Sequence, residues 1–86
     1  MEEIKEIIWT QKFEQDFKKI RDGATQDKLE KQIMKIRFNP NFGKSLRYDL
    51  KGERTVRIKS YRLLYKVKGD KLVLLRFEHR KKVYEK

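Results

Sequence analysis

The spacing of apolar residues in the first part of the chain predicts a short strand followed by a helix. Residues 4–9 are rich in isoleucine and tryptophan, as expected of a strand with one buried face. Phe13, Phe17 and Ile20 then recur at the i, i+4, i+7 spacing of an amphipathic helix. Thr10 precedes this helix and is expected to be its N-cap.

A second helix is predicted from near Thr25 to the sequence Asn39-Pro40. Asp22 and Gly23 are expected to end the first helix, because glycine commonly follows a helix C-terminus. The buried stripe of the second helix consists of Leu29, Ile33 and Ile36, with Met34 expected to fill space in the core. The short connection predicts that the two helices form an antiparallel hairpin.

Residues 52–65 predict a β-hairpin with a two-residue turn at Lys59-Ser60. Valine, isoleucine, leucine and tyrosine alternate with polar residues on both sides of the turn. With this turn, Arg57 faces Arg62 directly across the two strands. Because facing like charges destabilise a sheet, the pair predicts a surface that binds an anion.

The last predicted strand, residues 72–79, has apolar residues at both odd and even positions, so both of its faces are largely apolar. It is therefore expected at the centre of the sheet. It follows a tight turn at 69–70. The predicted fold class is α+β. An N-terminal strand and a two-helix hairpin precede a three-stranded antiparallel meander, and one sheet packs on the helices.

An unbroken register across this last turn places Arg62 opposite Phe77. Arg80 then lies about 10 Å further along the strand, beside Lys59. Arg57, Arg62 and Arg80 are therefore expected to converge at one end of the sheet. A register shift of one residue would break this convergence.

Residues 41–52 form a predicted connection of about twelve residues, which is long for so small a domain. Its Gly43-Lys44-Ser45 sequence is interpreted as a turn with an exposed lysine. It is not a phosphate-binding loop, because the earlier glycine of that motif is missing.

The charge is concentrated in the second half of the chain. The 86 residues have a net charge of +11; residues 1–43 carry 9 Lys and Arg against 8 Asp and Glu, and residues 44–86 carry 15 against 5. Such segregation is typical of proteins that bind nucleic acid or an acidic protein. The alternative is the solvated surface of a heat-adapted protein.

Composition also excludes several classes of protein. The chain length predicts a single domain over residues 1–86. The absence of cysteine excludes disulfides and thiolate metal sites, and no His, Asp or Glu grouping has metal-ligand spacing. We expect no cofactor, no membrane span and a cytoplasmic location.

Two spaced motifs resemble the RelE/ParE superfamily of toxins from toxin–antitoxin modules. The first is Arg-Ile-x-x-Tyr-Arg-x-x-Tyr over residues 57–65. The second is His-Arg-x-x-Val-Tyr over residues 79–84. Together with the order of elements, they are most similar to the RelE-like branch.

The resemblance implies a ribosome-dependent endoribonuclease that cleaves mRNA in the ribosomal A site. It also implies a cognate antitoxin, similar to RelB, that would bind through an acidic or amphipathic helical segment. The residues that match the catalytic positions of RelE-like toxins are Arg57, Arg62, Arg80 and Tyr84. Lys59, where many relatives have glycine, is a neighbour that could share the role of Arg57. Further basic residues expected to contact RNA are Arg54, His79, Lys81, Lys82, Lys44 and Arg47.

The roles in proton transfer stay open at this stage. Lys59 is a possible base, and Tyr84 could act as acid or base. Glu53 is the local counterpart of a glutamate base found in some relatives. Arg62 and Arg80 could instead form surface ion pairs with Glu53, Glu78 or Asp49. Two other functions are considered: a ParE-like toxin that binds DNA gyrase without catalysis, and a generic RNA-binding module.

Overall fold

Two helices cover one face of a mixed sheet in the computed structural model, which describes residues 4–45 and 52–79. The elements follow one another as predicted, with one additional strand. In chain order they are β1 (Glu6–Trp9), α1 (Gln11–Lys18), α2 (Gly23–Phe38), β2 (Lys44–Ser45), β3 (Glu53–Ile58), β4 (Tyr61–Lys68) and β5 (Lys71–His79). No helix in this part of the chain is long and apolar enough to cross a membrane.

The strand order in the sheet is β1-β5-β4-β3-β2. Strand β1 is parallel to β5, and the other neighbouring strands are antiparallel. The predicted meander is therefore confirmed, as is the α+β class. The prediction of a simple turn at residues 44–45 was wrong, because these residues pair with Thr55 and Arg54 of β3 as an edge strand.

The boundary between the helices differs from the prediction because of one side chain. Asp22 has an extended backbone and caps α2, accepting hydrogen bonds from the Ala24 N–H and the Thr25 hydroxyl. Gly23 is therefore the first residue of α2 and does not end α1, as expected from the sequence. Thr10 caps α1 as predicted, with its side chain accepting from the Phe13 N–H.

The hydrophobic core lies between the helices and one face of the sheet. The predicted helical residues Phe13, Ile20, Leu29, Ile33 and Ile36 are buried, and Phe17 is partly buried. The sheet and the N-terminal segment contribute Ile4, Val56, Ile58, Leu63, Tyr65, Leu72, Leu74 and Phe77.

Several large apolar side chains lie on the surface instead. Met34 is 45% exposed and Phe38 is 75% exposed, so the prediction that Met34 fills the core was wrong. Met34 follows the buried Ile33 in the sequence, and successive helical residues point about 100° apart. Trp9, in the first strand, is also partly exposed, although its ring packs edge-on against Phe13 at 5.0 Å.

A β-bulge interrupts the pairing of β4 with β5. Tyr65 pairs with Leu74, whereas the preceding residue, Leu64, pairs with Arg76. Leu75 is thus an extra residue in β5, and the register beyond it is shifted by one. As a result Glu78, and not the predicted Phe77, lies opposite Arg62.

The second half of β5 has no neighbouring strand on the side of β1, and side chains of α1 and its N-cap form hydrogen bonds with this edge instead. Pairing with β1 ends at Leu74, where the Thr10 hydroxyl donates to the Leu74 carbonyl at 2.8 Å. Beyond this point the buried carboxylate of Asp16 accepts from the Phe77 N–H at 3.0 Å and from Lys12 Nζ at 2.6 Å. The open edge of β5 is therefore paired by side chains of α1.

We predict that Asp16→Ala lowers the free energy of unfolding by about 1–3 kcal/mol, because it leaves the buried Phe77 N–H without an acceptor. Asp27→Ala is a matched control, since Asp27 forms an exposed i,i+4 pair with Lys31. The control should change stability by less than about 0.5 kcal/mol. Urea unfolding followed by circular dichroism measures both, and equal losses would contradict the role of Asp16.

Candidate functional site

Three charged residues form a row across the sheet, on the face opposite the helices. Arg57 of β3 pairs with Arg62 of β4, and Arg62 pairs with Glu78 of β5. Directly paired residues point to the same face, and their Cβ atoms lie about 5 Å apart. The predicted pairing of the two arginines is therefore confirmed, and we call the three residues the charged row.

The two arginines differ in exposure. Arg57 is exposed and Arg62 is half-buried. Their guanidinium groups repel each other across the two strands. Guanidinium groups match the oxygens of phosphate and carboxylate groups through paired N–H donors. The charged row can therefore bind an anionic group.

Glu78 is the acidic member of the charged row. Its side chain is 19% exposed, and its Oε2 lies 3.5 Å from Lys12 Nζ and 3.8 Å from Arg76 Nη1. Arg76 lies on the same face, because it pairs with Leu64 two residues from Arg62. The sequence alone indicates Glu78 only as an ion-pair partner for Arg62 or Arg80. Its position opposite Arg62 depends on the bulge, for which the sequence gives no signal.

Lys59 lies in the turn between β3 and β4, and its side chain extends toward the helices. Its Nζ is 3.5 Å from Asp22 Oδ2, in the connection between α1 and α2. Hydrogen bonds from the Thr25 hydroxyl and the Ala24 N–H lower the pKa of Asp22. This carboxylate is therefore ionised at neutral pH and attracts Lys59. Lys59 belongs to the rim of the helical face and not to the charged row.

His79 also lies on the helical side of the sheet. It pairs with Tyr61, and the two rings meet edge to face with centroids 5.4 Å apart. Tyr61 in turn stacks on Phe77 at 4.9 Å. Tyr61 and His79 line both a cleft of about 180 Å³ beside α1 and a second of about 410 Å³ beside Lys59.

Arg54 ties the segment after α2 to the sheet. Its Nη1 donates to the Gly43 carbonyl at 2.7 Å. The Tyr65 hydroxyl accepts from the Gly43 N–H at 2.8 Å and donates to the Pro40 carbonyl at 3.0 Å. Burial raises the pKa of this hydroxyl. A Cβ at position 43 would lie 2.6 Å from the Tyr65 hydroxyl oxygen, so only glycine fits. Arg54, predicted to contact RNA, thus has a structural partner on the opposite face from the charged row.

The other predicted site residues fall outside the part of the chain that the structure describes. These are Arg80, Lys81, Lys82, Tyr84 and Arg47, together with the side chain of Lys44. The predicted convergence of Arg80 with the arginine pair assumed an unbroken register, which the bulge in β5 shifts by one residue. The position of Arg80 itself stays a prediction. Within residues 4–45 and 52–79, no three His, Asp or Glu side chains are grouped so as to hold a metal ion.

A family model described as the ParE toxin of the type II toxin–antitoxin system parDE matches residues 7–84. The chain belongs to this family. It is therefore a toxin of a type II toxin–antitoxin system, within the RelE/ParE superfamily that its motifs resemble. No curated protein sequence matches this toxin.

Solved structures of toxin–antitoxin systems share the fold. The RelB–RelE complex of Methanococcus jannaschii is 20% identical, with a TM-score of 0.75 over 91% of this chain and 95% of that one. The chromosomal ParDE system of P. aeruginosa is 19% identical, with a TM-score of 0.70 over 88% and 96%. The RelBE2 complex of Mycobacterium tuberculosis is 25% identical, with a TM-score of 0.61 over 93% and 94%. RelE and ParE toxins both occur among them, so the choice between their activities depends on the site.

We predict that Lys59→Gly leaves the stability of the toxin unchanged or raises it by up to about 1 kcal/mol. Lys59 has a φ of 55°, a left-handed conformation that costs L-residues about 1–2 kcal/mol and glycine little. The exposed pair with Asp22 contributes little in return. Ser60→Gly is the control, because Ser60 lies outside the left-handed region. A larger loss of thermal stability for Lys59→Gly than for Ser60→Gly would contradict this account.

Proposed function

We propose that this toxin is a ribosome-dependent endoribonuclease that cleaves mRNA in the ribosomal A site without a metal ion. The observation that carries the proposal is the pairing of Arg57 with Arg62 on the face that the helices leave uncovered. The two guanidinium groups repel each other, and an anion that lies between them is attracted by both.

The scissile phosphate of RNA is an anion of the required kind. Cleavage by the neighbouring 2′-hydroxyl increases the negative charge on the phosphate oxygens in the transition state. Arginine side chains that are already positioned stabilise this charge more than that of the ground state. Arg80, the residue that follows His79, is proposed to complete the cluster.

Proton transfer is the harder part of the reaction for this chain. It has a single histidine, so a pair of histidines cannot share the tasks of acid and base. Tyr84 is proposed as the acid that protonates the leaving 5′-oxygen, and Lys59 is the base that the motifs suggest. An enzyme with few suitable groups gains most from a substrate held in a reactive geometry, which the ribosome supplies.

A second function is favoured by the family model itself, whose description names ParE. ParE-like toxins act by binding DNA gyrase, and binding alone does not require arginines aligned on a phosphate. The two functions differ in what an arginine substitution changes. A nuclease loses its rate of cleavage, whereas a binder loses its affinity for gyrase.

The proposed protein partner is a cognate antitoxin, since two of the similar structures are antitoxin–toxin complexes. An acidic or amphipathic helical segment would complement the positive charge of the second half of the chain. Carboxylates of that segment would satisfy the arginine pair in place of phosphate. The antitoxin would then inhibit the toxin by occupying the same site.

We predict that Arg57→Ala, Arg62→Ala and Arg80→Ala each reduce mRNA cleavage on programmed ribosomes by roughly 10²-fold or more, as expected for removal of a transition-state donor. Cleavage of free mRNA by the wild type should be negligible. Arg21→Ala serves as control, because Arg21 is exposed in the connection between the helices. Gel analysis of the mRNA and growth arrest on expression are the two measurements.

Three results would contradict the proposal. One is equal cleavage of free and ribosome-bound mRNA, and another is full activity of the arginine variants. The third is inhibition of gyrase supercoiling by the wild type without any cleavage, which would favour the ParE-like function. Circular dichroism should show that each variant folds, since Arg57 and Arg62 lie outside the core.

A further inference from the structure

We propose that the two clefts beside Tyr61 and His79 form a groove that binds a nucleobase of the RNA whose phosphate the charged row binds. This inference rests on the proposed ribonuclease function and adds a subsite to it. Two observations carry it: hydrogen-bonding groups without a partner converge on the groove, and the charges that line it balance.

The groove lies at the end of the sheet where β3 turns into β4. The cleft of about 180 Å³ is bounded by α1 and the end of β5, and the cleft of about 410 Å³ by the β3–β4 turn and the start of α2. Tyr61 and His79 line both clefts, so the two are parts of one surface, which we call the end groove. The larger cleft alone is within the range of about 300–1,000 Å³ that small-molecule sites occupy.

Aromatic rings form one wall of the end groove. Tyr61 stacks on Phe77 with ring centroids 4.9 Å apart and meets His79 edge to face at 5.4 Å. Phe77 is buried, so this wall is held against the core. Proteins recognise single-stranded RNA largely through aromatic side chains that contact the bases and polar groups that bond to the base edges.

Polar groups without a partner line the end groove from three elements. The Tyr61 hydroxyl on β4 and the Lys19 ammonium after α1 take part in no hydrogen bond or ion pair within the described residues. Lys12 and Arg76 come closest to Oε2 of Glu78, at 3.5 and 3.8 Å, and Oε1 accepts no hydrogen bond from the described part of the chain. The groove therefore offers a hydroxyl, a cation and a carboxylate oxygen to one ligand.

The charges that line the end groove balance. Among the described residues they are three lysines and three carboxylates: Lys12, Lys19, Lys59, Asp16, Asp22 and Glu78. A phosphate or an acidic segment of the antitoxin would be attracted by the lysines and repelled by the carboxylates. An uncharged planar group with both donors and acceptors is matched by both. A nucleobase is such a group, because the edges of the bases combine N–H donors with nitrogen and oxygen acceptors.

The end groove and the charged row lie on opposite faces of the same end of the sheet. Tyr61 and Arg62 are consecutive in β4 and therefore point to opposite faces. Glu78 pairs with Arg62, and its carboxylate reaches past the open edge of β5 into the groove. An RNA strand that passes over this end of the sheet can place a phosphate at the arginine pair and a nearby base in the groove. Single-stranded RNA permits this arrangement, because its unstacked bases can be splayed apart.

The test is an NMR titration of isotope-labelled toxin with the four nucleoside 5′-monophosphates and with ribose 5-phosphate, the probe that lacks a base. We expect at least one nucleotide to cause saturable shifts of the backbone amides of Lys19, Tyr61 and Glu78. Ribose 5-phosphate should leave these three amides unshifted, since the groove is expected to hold the base and not the phosphate.

Variants of the groove should weaken the binding of that nucleotide. Tyr61→Phe should raise its Kd by about 2- to 10-fold, as expected for the loss of one hydrogen bond, because the ring and its stacking on Phe77 remain. Glu78→Gln should raise it by about 10-fold, since hydrogen bonds to a charged group are stronger than neutral ones. Lys28→Ala is the control, because Lys28 is exposed on α2 and does not line the groove.

Three results would overturn the groove as a base-binding site. They are the absence of groove shifts with every nucleotide, equal groove shifts with ribose 5-phosphate, and a wild-type Kd for both groove variants. The titration requires no cleavage, so its result is separate from that for the nuclease. A toxin that cleaves mRNA on ribosomes but fails the titration keeps the proposed function and loses the subsite. A toxin that binds nucleotides in the groove without cleaving mRNA keeps the binding site and loses the nuclease.

Discussion

The register of β3, β4 and β5 is the constraint on which the site depends. Successive residues of a strand point to opposite faces, so a shift of one residue exchanges core and surface side chains. Two features determine the register here. The two-residue turn at Lys59-Ser60 aligns Arg57 with Arg62, and the bulge at Leu75 aligns Arg62 with Glu78. A helix side chain, Asp16, then pairs with the shifted half of β5.

The first of these features could be predicted from the sequence, and the second could not. The apolar residues Val56, Ile58, Tyr61, Leu63 and Tyr65 stand at alternate positions around the turn, so a two-residue turn places all five on one face. Residues 72–75 of β5 are Leu-Val-Leu-Leu, which are apolar on both parities and fit the sheet in either register. Because these residues do not alternate in polarity, the sequence does not show which face each one occupies. The extra residue of the bulge therefore cannot be predicted from it.

The same distinction explains the other differences from the sequence analysis. The helical stripes were correct because they depend on local spacing. The partners of Lys59 and Arg54 were not foreseen, since Asp22 and Gly43 lie 37 and 11 residues away along the chain. Asp22 itself was misassigned because aspartate before glycine is compatible both with the end of one helix and with the start of the next. Its hydrogen bonds to Ala24 and Thr25 decide in favour of the start.

The basic residues of the second half thus divide into two groups with different physical roles. Arg54 and Lys59 are paired with groups of this chain on the helical side of the sheet, where they hold segments in place. Arg57 and Arg62 face each other on the side that the helices leave uncovered, with Glu78 opposite Arg62. Because the core lies on the other face, substitutions in the charged row remove little buried apolar area. The pair can therefore persist in a stable fold, and an anion that binds between the two guanidinium groups reduces their repulsion.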